Sequence, residues 1–335
     1  MQTPFDLCQR SRSSSLQLSE ADTANTTPDD ETKIISISST FFPGSHSTIS
    51  DTILRSSDGV LFYVNSDTLL KCSPDALRAV LGTSLTAKRF REGIIDVPDT
   101  SIVLNIILHV FYCLSPARYS PSLDDIEKAV NRFADYGLKP PDHILPATPI
   151  FQLLLLHAPV SALRIYVLAA QHKLYPLAEK VSSHLLGIPL SSVDDDMVTR
   201  MGPIFFKRLA CLHMNLIDSL KNIILQPPYP HPPTDECDFA EQKKLSRAWA
   251  LAASYIAWDS KPGRLSIYFP PTIGMFIDID VSISAIQNTF SALGEHLACQ
   301  DCHAVLRKRI HEIVVQWANV KVYFRCLVFR RRLTS

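Results

Sequence analysis

The chain has 335 residues, of which 46% are hydrophobic and 20% charged, a balance typical of a folded protein large enough for two domains. The formal net charge is +0, so no overall positive field attracts the protein to nucleic acid or to an anionic membrane. Ten glycines are few for this length and argue against glycine-rich phosphate loops, whereas 23 prolines are many and are expected between structural elements.

The N-terminal third begins with a segment that lacks any hydrophobic period. Residues 1–33 are rich in Ser, Thr and Asp, and we expect a disordered tail there. No apolar run of signal-peptide length is present, and the eight cysteines do not have the spacing of a disulfide framework. Both observations favour a reducing, intracellular location, cytoplasmic or nuclear. Residues 34–42 alternate apolar and polar side chains, as an edge strand does.

Residues 51–81 predict a hairpin that leads directly into two short helices. The Asp-Gly pair at 58–59 indicates a two-residue type I′ turn, because glycine tolerates positive φ, and the runs around it are β-branched or aromatic. Leu69 and Leu70 then begin an apolar helical face, and the Ser-Pro pair at 73–74 marks a second helix start. This order of elements belongs to an α+β unit.

This stretch resembles the start of a BTB/POZ domain, and it is most similar to the members found in mushroom-type fungi. The residues that carry the resemblance are Asp51 at the first strand, the turn at 58–59, the phrase Phe-Tyr-Val-Asn at 62–65, the Leu pair and the Ser-Pro pair. Asn65 stands where the family usually has His. The resemblance covers about residues 51–138 and implies a small mixed sheet flanked by short helices.

The following elements continue the same order. Residues 94–98 predict a third strand that a proline ends, and residues 99–101 cap an apolar helix. Residues 123–136 predict an amphipathic helix with Gly137 at its C-terminal end. We therefore expect three units: a disordered tail (1–33), a BTB/POZ domain (34–142) and an α-helical C-terminal region (143–335).

The C-terminal region shows helical periodicity almost throughout. Residues 151–170 are the most lipophilic, but Gln, His, Pro and Arg interrupt them, which indicates buried helices and no membrane span. Three acidic residues at 194–196 suit a helix start. The proline-rich run at 227–233 is typical of a spacer between helices. Helices are expected over residues 162–185 (two helices), 201–225, 245–258, 283–297 and 304–329.

The sharpest chemical signal is a CxxCH phrase formed by Cys299, Cys302 and His303. It is a haem-attachment phrase, but haem attachment needs an export or organelle signal that the chain lacks. A structural zinc site needs four ligands, and Cys237 is a single cysteine without a paired ligand. We expect two free thiols at a helix start, with no metal and no cofactor. Cys299, Cys302 and His303 remain the metal candidates, and a redox or zinc-binding protein is the rival functional class.

Motifs for catalysis and for nucleic-acid binding are missing. The sequence has no GxSxG, P-loop or GxGxxG phrase, and the His-Glu pair at 311–312 does not continue into HExxH. The basic run at 307–309 is expected on the wet face of a packed helix. The sequence therefore predicts a protein that is not an enzyme and does not read DNA sequence.

The BTB/POZ resemblance implies protein–protein interaction, as a self-associating or hetero-oligomerising adaptor or a transcription-related scaffold. The residues expected on the interaction surface are Asp51, Leu69 and Leu70. The resemblance also implies an alternative role as a substrate adaptor for a cullin-RING ubiquitin ligase, for which Phe90 and Glu92 supply a hydrophobic-x-Glu phrase. We expect protein partners (self, other BTB proteins or a cullin) and no membrane.

Overall fold

A small mixed sheet and a larger set of helices form the molecule, as the α+β prediction requires. The computed structural model describes residues 36–46, 48–73, 76, 94–259 and 283–327. The strands are β1 (Thr52–Arg55), β2 (Leu61–Val64) and β3 (Ile94–Asp96). The helices are α1 (Ser66–Cys72), α2 (Ser101–Phe111), α3 (Leu123–Arg132), α4 (Pro140–His143), α5 (Pro149–Gln171), α6 (Tyr175–Ser182), α7 (Asp195–Ile224), α8 (Phe239–Asp259), α9 (Ile283–Ser291) and α10 (Gln300–Leu327).

The sheet has the strand order β2-β1-β3. Strand β1 runs antiparallel to β2 and parallel to β3, and Arg55 pairs with Leu61 at the hairpin end. The hairpin connection is therefore the five residues 56–60, and the predicted two-residue type I′ turn is wrong. Gly59 has the positive φ of +84°, but Asp58 does not, and a type I′ turn needs both.

Aspartates link the loops of this sheet to the helices. The carboxylate of Asp58 accepts hydrogen bonds from the backbone N–H (2.9 Å) and the hydroxyl (2.6 Å) of Ser101, the first residue of α2. Thr100 occupies the N-cap position but makes no side-chain capping bond, so Asp58 supplies it from the hairpin. The β hairpin is thereby joined to the first helix after β3.

The segment expected as an edge strand follows the outer edge of β2 without becoming a strand. The carbonyls of Ser36 and Phe41 accept from the backbone N–H groups of Leu61 (2.8 Å) and Tyr63 (2.8 Å). Only an isolated parallel bridge, Ile37 to Leu61, has ladder geometry. These bonds satisfy the exposed side of β2.

Most helix predictions are confirmed in kind, while several boundaries differ. Ser122 caps α3, and a 3-10 turn (Phe133–Tyr136) then ends at Gly137 with φ of +73°, as predicted. Asp194 caps α7, also as predicted. The lipophilic stretch lies in α5, which begins already at Pro149 because proline suits the first helical turn. The helix is kinked at Ser161 (φ −130°, ψ 40°), so a separate helical part begins at Ala162, as predicted. The residues predicted as a disordered tail and as the helix after Pro74 lie outside the described residues.

The described residues from Ser36 onward belong to one compact unit. Two clusters of buried hydrophobic residues lie within this unit. The first cluster extends from Phe41 to Leu212 and includes the sheet, α2, α3, α5 and the first part of α7. The second extends from Leu216 to Trp317 and includes the end of α7, α8, α9 and α10. Helix α7 is shared by both. The predicted boundary at residue 142 stays a prediction, whereas the cores separate inside α7.

Candidate metal centre and exposed surfaces

The residues expected on the interaction surface differ in their exposure and in their contacts. Asp51 accepts a hydrogen bond from the backbone N–H of Ser66 (2.7 Å) and another from its hydroxyl, so it holds the first residue of α1, whose N-cap is Asn65. Burial raises the pKa of Asp51, but the bonds from Ser66 outweigh it and hold the pKa below its usual value. Leu69 is fully buried (0% exposed) in the core, which corrects its expected surface position, whereas Leu70 is 41% exposed.

Phe90 and Glu92, the residues of the hypothetical cullin-binding phrase, lie outside the described residues. That alternative therefore stays a prediction.

Four metal-ligand side chains converge at one end of the second core. They are His231, Cys237, Cys299 and Cys302, and one ligand atom from each lies within 4.8 Å of every other. The Sγ atoms of Cys237 and Cys302 are 3.7 Å apart. Nε2 of His231 lies 3.5 Å from Sγ of Cys299 and 3.3 Å from Sγ of Cys302. The arrangement contains three thiols and one imidazole.

Local structure explains how each ligand is placed. Cys299 and Cys302 lie at the beginning of α10, where the two residues are one helical turn apart. Cys237 closes a short turn in which its N–H and C=O both bond to Thr234 (3.1 and 3.0 Å). The next residue, Asp238, accepts from the N–H of Glu241 (2.9 Å) and so caps α8. These contacts fix the three thiols on backbone that is already hydrogen-bonded.

His231 comes from the proline-rich run that was expected to be a spacer. Its Nδ1 lies 2.6 Å from the carbonyl oxygen of Pro232, and its own carbonyl accepts from Nε2 of Gln242 (3.0 Å). A histidine whose Nδ1 bonds to a carbonyl carries its proton there, which leaves Nε2 free as a donor to a metal. That nitrogen is the atom nearest the thiols.

The thiols differ in their titration because their surroundings differ. Backbone N–H groups of Cys302 and Asp301 bond to the Cys299 sulfur and lower its pKa, although burial opposes them. Burial raises the pKa of Cys237, and burial next to the other thiols raises the pKa of Cys302 to about 12. A cation bound between the sulfurs would reverse this effect, since a coordinating thiol is deprotonated outright.

His303, the third residue of the CxxCH phrase, does not join the cluster. Its Nε2 lies 2.9 Å from the carbonyl oxygen of Leu297. The expectation of two free thiols facing loop and core is also incomplete, because Cys302 and Cys237 are 4% and 1% exposed and meet side by side. Sequence reasoning missed His231 and left Cys237 without a paired ligand, because both lie far along the chain from the CxxC pair.

One residue of the basic run at 307–309, Arg309, has a structural role. Arg309 is buried and donates to the carbonyl oxygens of Ile223 (2.9 Å) and Gln226 (3.1 Å), and it also pairs with Glu312 (3.2 Å). It therefore holds the C-terminal end of α7, where carbonyls lack helical partners, against α10. This corrects its expected place on a wet helix face.

An exposed apolar stripe lies on α8. Leu251, Tyr255 and Trp258 are spaced by four and three residues, so they share one helical face, and they are 76%, 69% and 63% exposed. The opposite face of α8 carries Trp249, which is fully buried and stacks on Phe290 with ring centroids 4.0 Å apart. Helix α8 is thus apolar on two faces, of which one forms the second core.

Helix α5 is the one helix, among the described residues, that is long and apolar enough to cross a membrane. More than half of its most apolar window (56%) is buried inside the protein. This burial agrees with the prediction of buried helices.

No protein-family model, curated protein or solved structure matches this chain.

Proposed function

We propose that the chain is a non-catalytic protein-interaction protein whose N-terminal part has a BTB/POZ-type fold. The order β2-β1-β3, with an antiparallel hairpin and a parallel third strand followed by α2, supports the fold. The carboxylates of Asp51 and Asp58 accept hydrogen bonds from the first residues of two helices, Ser66 and Ser101. Such structural roles support a docking module over a catalytic one.

The observation that carries the proposal is the exposed stripe of Leu251, Tyr255 and Trp258 on α8. Contiguous exposed apolar side chains mark interaction sites, and Tyr and Trp are enriched among the residues that dominate binding energy. The basic residues of α8 (Lys243, Lys244 and Arg247) lie in its first half, and the half that carries the stripe, residues 248–259, contains no Lys or Arg. A helix that binds a membrane surface usually carries basic residues on its polar face, so the stripe fits a protein partner.

The test compares two double variants of the full chain. Leu251→Ser with Tyr255→Ser removes apolar area from the stripe, whereas Lys243→Ser with Arg247→Ser changes two exposed residues of the same helix at the same spacing. Light scattering measures self-association, and affinity purification followed by calorimetry with each purified candidate measures binding to other proteins. We expect the stripe variant to weaken the dissociation constant at least about tenfold.

The lysine–arginine variant should bind as the wild type does. Equal binding by both variants, or a wild-type chain that is monomeric and binds no purified candidate, would contradict the proposal. The free thiols among the described cysteines support the further proposal of a reducing, intracellular location.

A further inference from the structure

We propose that His231, Cys237, Cys299 and Cys302 bind one zinc ion in a closed, tetrahedral Cys3His site. The four residues come from two separate parts of the chain, residues 231–237 and 299–302. The site goes beyond the proposed protein-interaction function and does not depend on it.

The distances match those that a tetrahedral zinc ion imposes. With Zn–S bonds of about 2.3 Å and a Zn–N bond of about 2.0–2.1 Å, tetrahedral angles place two sulfurs about 3.8 Å apart and a sulfur and a nitrogen about 3.5 Å apart. The sulfurs of Cys237 and Cys302 are 3.7 Å apart, Nε2 of His231 lies 3.5 and 3.3 Å from two of the sulfurs, and all four ligand atoms lie within 4.8 Å of one another. A single ion at the centre of the cluster can therefore reach all four atoms.

The donor set selects the metal. Three sulfurs and one imidazole nitrogen are the ligands of structural zinc, whereas Mg²⁺ and Ca²⁺ require oxygen donors. Four protein ligands leave no open position for a substrate or an activated water, so the site is structural. On binding, each of the three thiols loses its proton to solvent and the neutral imidazole donates its Nε2 lone pair.

Surrounding groups stabilise the charge and orientation of the ligands. Three thiolates and Zn²⁺ carry a net charge of −1, and the N-terminal end of α10, with N–H groups bonded to the Cys299 sulfur, favours negative charge there. The bond from Nδ1 of His231 to Pro232 and the bond from Gln242 to the His231 carbonyl hold the loop and direct Nε2 at the sulfurs.

A disulfide accounts for less of the geometry. A disulfide needs sulfurs about 2.05 Å apart and would join only two of the three. A disulfide would not explain why the third thiol and the imidazole nitrogen of His231 lie beside the other two sulfurs. A catalytic Cys–His pair, such as Cys299 with His231, would likewise not explain why two further thiols lie beside it.

Zinc would join the segment between α7 and α8 to the start of α10. Cys237 and Cys302 both belong to the second core, which is small and contains the ends of four helices. Small cores often need a metal or a disulfide as well as apolar burial. The zinc site therefore provides the link that fixes residues 226–238 against this core.

The first experiment measures metal in the full-length wild-type protein, purified in the presence of a reductant. Mass spectrometry of the metal content should find one zinc per chain. After replacement by Co²⁺, the visible spectrum should show the intense bands of tetrahedral coordination and the charge-transfer absorption of sulfur bound to cobalt. These two readouts do not depend on any variant folding.

Variants then assign the ligands. Cys302→Ser and His231→Gln should each weaken zinc affinity at least about tenfold. Two matched controls should retain wild-type zinc: Cys113→Ser removes an exposed thiol, and His303→Gln removes the histidine of the CxxCH phrase that lies outside the cluster. The controls separate this site from any general effect of losing a thiol or an imidazole.

Three results would overturn the inference. One is a reduced wild-type protein that binds neither zinc nor cobalt, and another is full zinc content in Cys302→Ser. A Cys237–Cys302 disulfide, found by peptide mapping of protein purified without reductant and retained in place of metal, would favour the redox alternative instead.

Discussion

At the scale of single residues, the partly buried carboxylate of Asp99 holds a loop of the N-terminal sheet in place. Asp99, which follows β3, accepts from Nε (2.9 Å) and Nη2 (3.2 Å) of Arg132 and from the hydroxyl of Tyr136 (2.7 Å). Tyr136 is fully buried, and burial next to Asp99 raises its pKa, so it stays a protonated donor. Asp99 thus satisfies a polar group that has no access to water.

We expect Asp99→Ala to lower the free energy of unfolding by about 1–3 kcal/mol, because the Tyr136 hydroxyl would be left buried without an acceptor. Urea unfolding followed by circular dichroism measures the change. Asp96→Ala is the matched control, since Asp96 pairs with Arg55 at the exposed surface of the sheet. That substitution should change stability by less than the error of the measurement. Equal losses in the two variants would contradict the role given to Asp99.

Only some of the metal-ligand residues can be predicted from the sequence. The CxxC pair is visible because both cysteines lie in one helical turn. His231 and Cys237 precede Cys302 by 71 and 65 residues, and only the packing of α7, α8 and α10 brings them to it. No local pattern encodes such a distance. The same holds for Arg309, whose burial depends on the carbonyls of a helix more than 80 residues earlier.

At the scale of elements, helix α7 is interrupted where its sequence contains Gly202 and Pro203. Gly202 has φ of +68° and ψ of 169°, a region that essentially only glycine adopts. Pro203 then begins the longer second part of the helix, where its missing N–H is no loss. The two parts of α7 are therefore separated by a kink at Gly202.

We expect Gly202→Ala to destabilise the protein by about 1–3 kcal/mol, because a Cβ atom is strained at this φ and ψ. No atom lies within 4 Å of the position of that Cβ, so the cost comes from the backbone and not from a clash. Gly187→Ala is the control, since its Cβ would also lie in open space but without a positive φ. Chemical denaturation of both variants measures the difference. A Gly202→Ala protein as stable as Gly187→Ala would show that the break is not required.

Local signals predicted elements well where the chain carries its own caps. Gly137 and Asp194 act at the helix ends where the sequence placed them. The hairpin turn was predicted wrongly because Asp58 bonds to Ser101, a partner 43 residues away that no local rule includes. Helix α8 begins at Phe239, six residues before its predicted start, because Asp238 caps it directly after the turn that holds Cys237.

At the scale of the whole molecule, two buried cores share α7. The α+β class and the helical C-terminal part follow from hydrophobic periodicity, whereas the position at which the cores divide does not. It depends on which residues of α7 face each neighbour: Met201 to Leu212 contribute to the first core and Leu216 to Ile224 to the second. The periodicity is continuous across this point, so the sequence gives no sign of a border.

Removal of zinc should affect the second core selectively, a prediction that rests on the proposed metal site. With a chelator present, we expect hydrogen exchange to become at least about tenfold faster at the start of α8 and α10, while α2 and α3 keep their protection. Exchange measured by mass spectrometry, with zinc added back, tests this. The Cys302→Ser protein provides the control, because the chelator should change nothing further in it. Faster exchange throughout both cores would contradict the prediction.

The three tryptophans occupy only α8 and α10, and two of them, Trp249 and Trp317, are buried in the second core. The first core contains none. Intrinsic tryptophan emission consequently reports on one half of the described molecule, while far-ultraviolet circular dichroism averages over all its helices. Coincident unfolding curves from the two optical signals would mean that the shared helix α7 couples both halves into one cooperative transition, and separated curves would mean that the halves melt in turn.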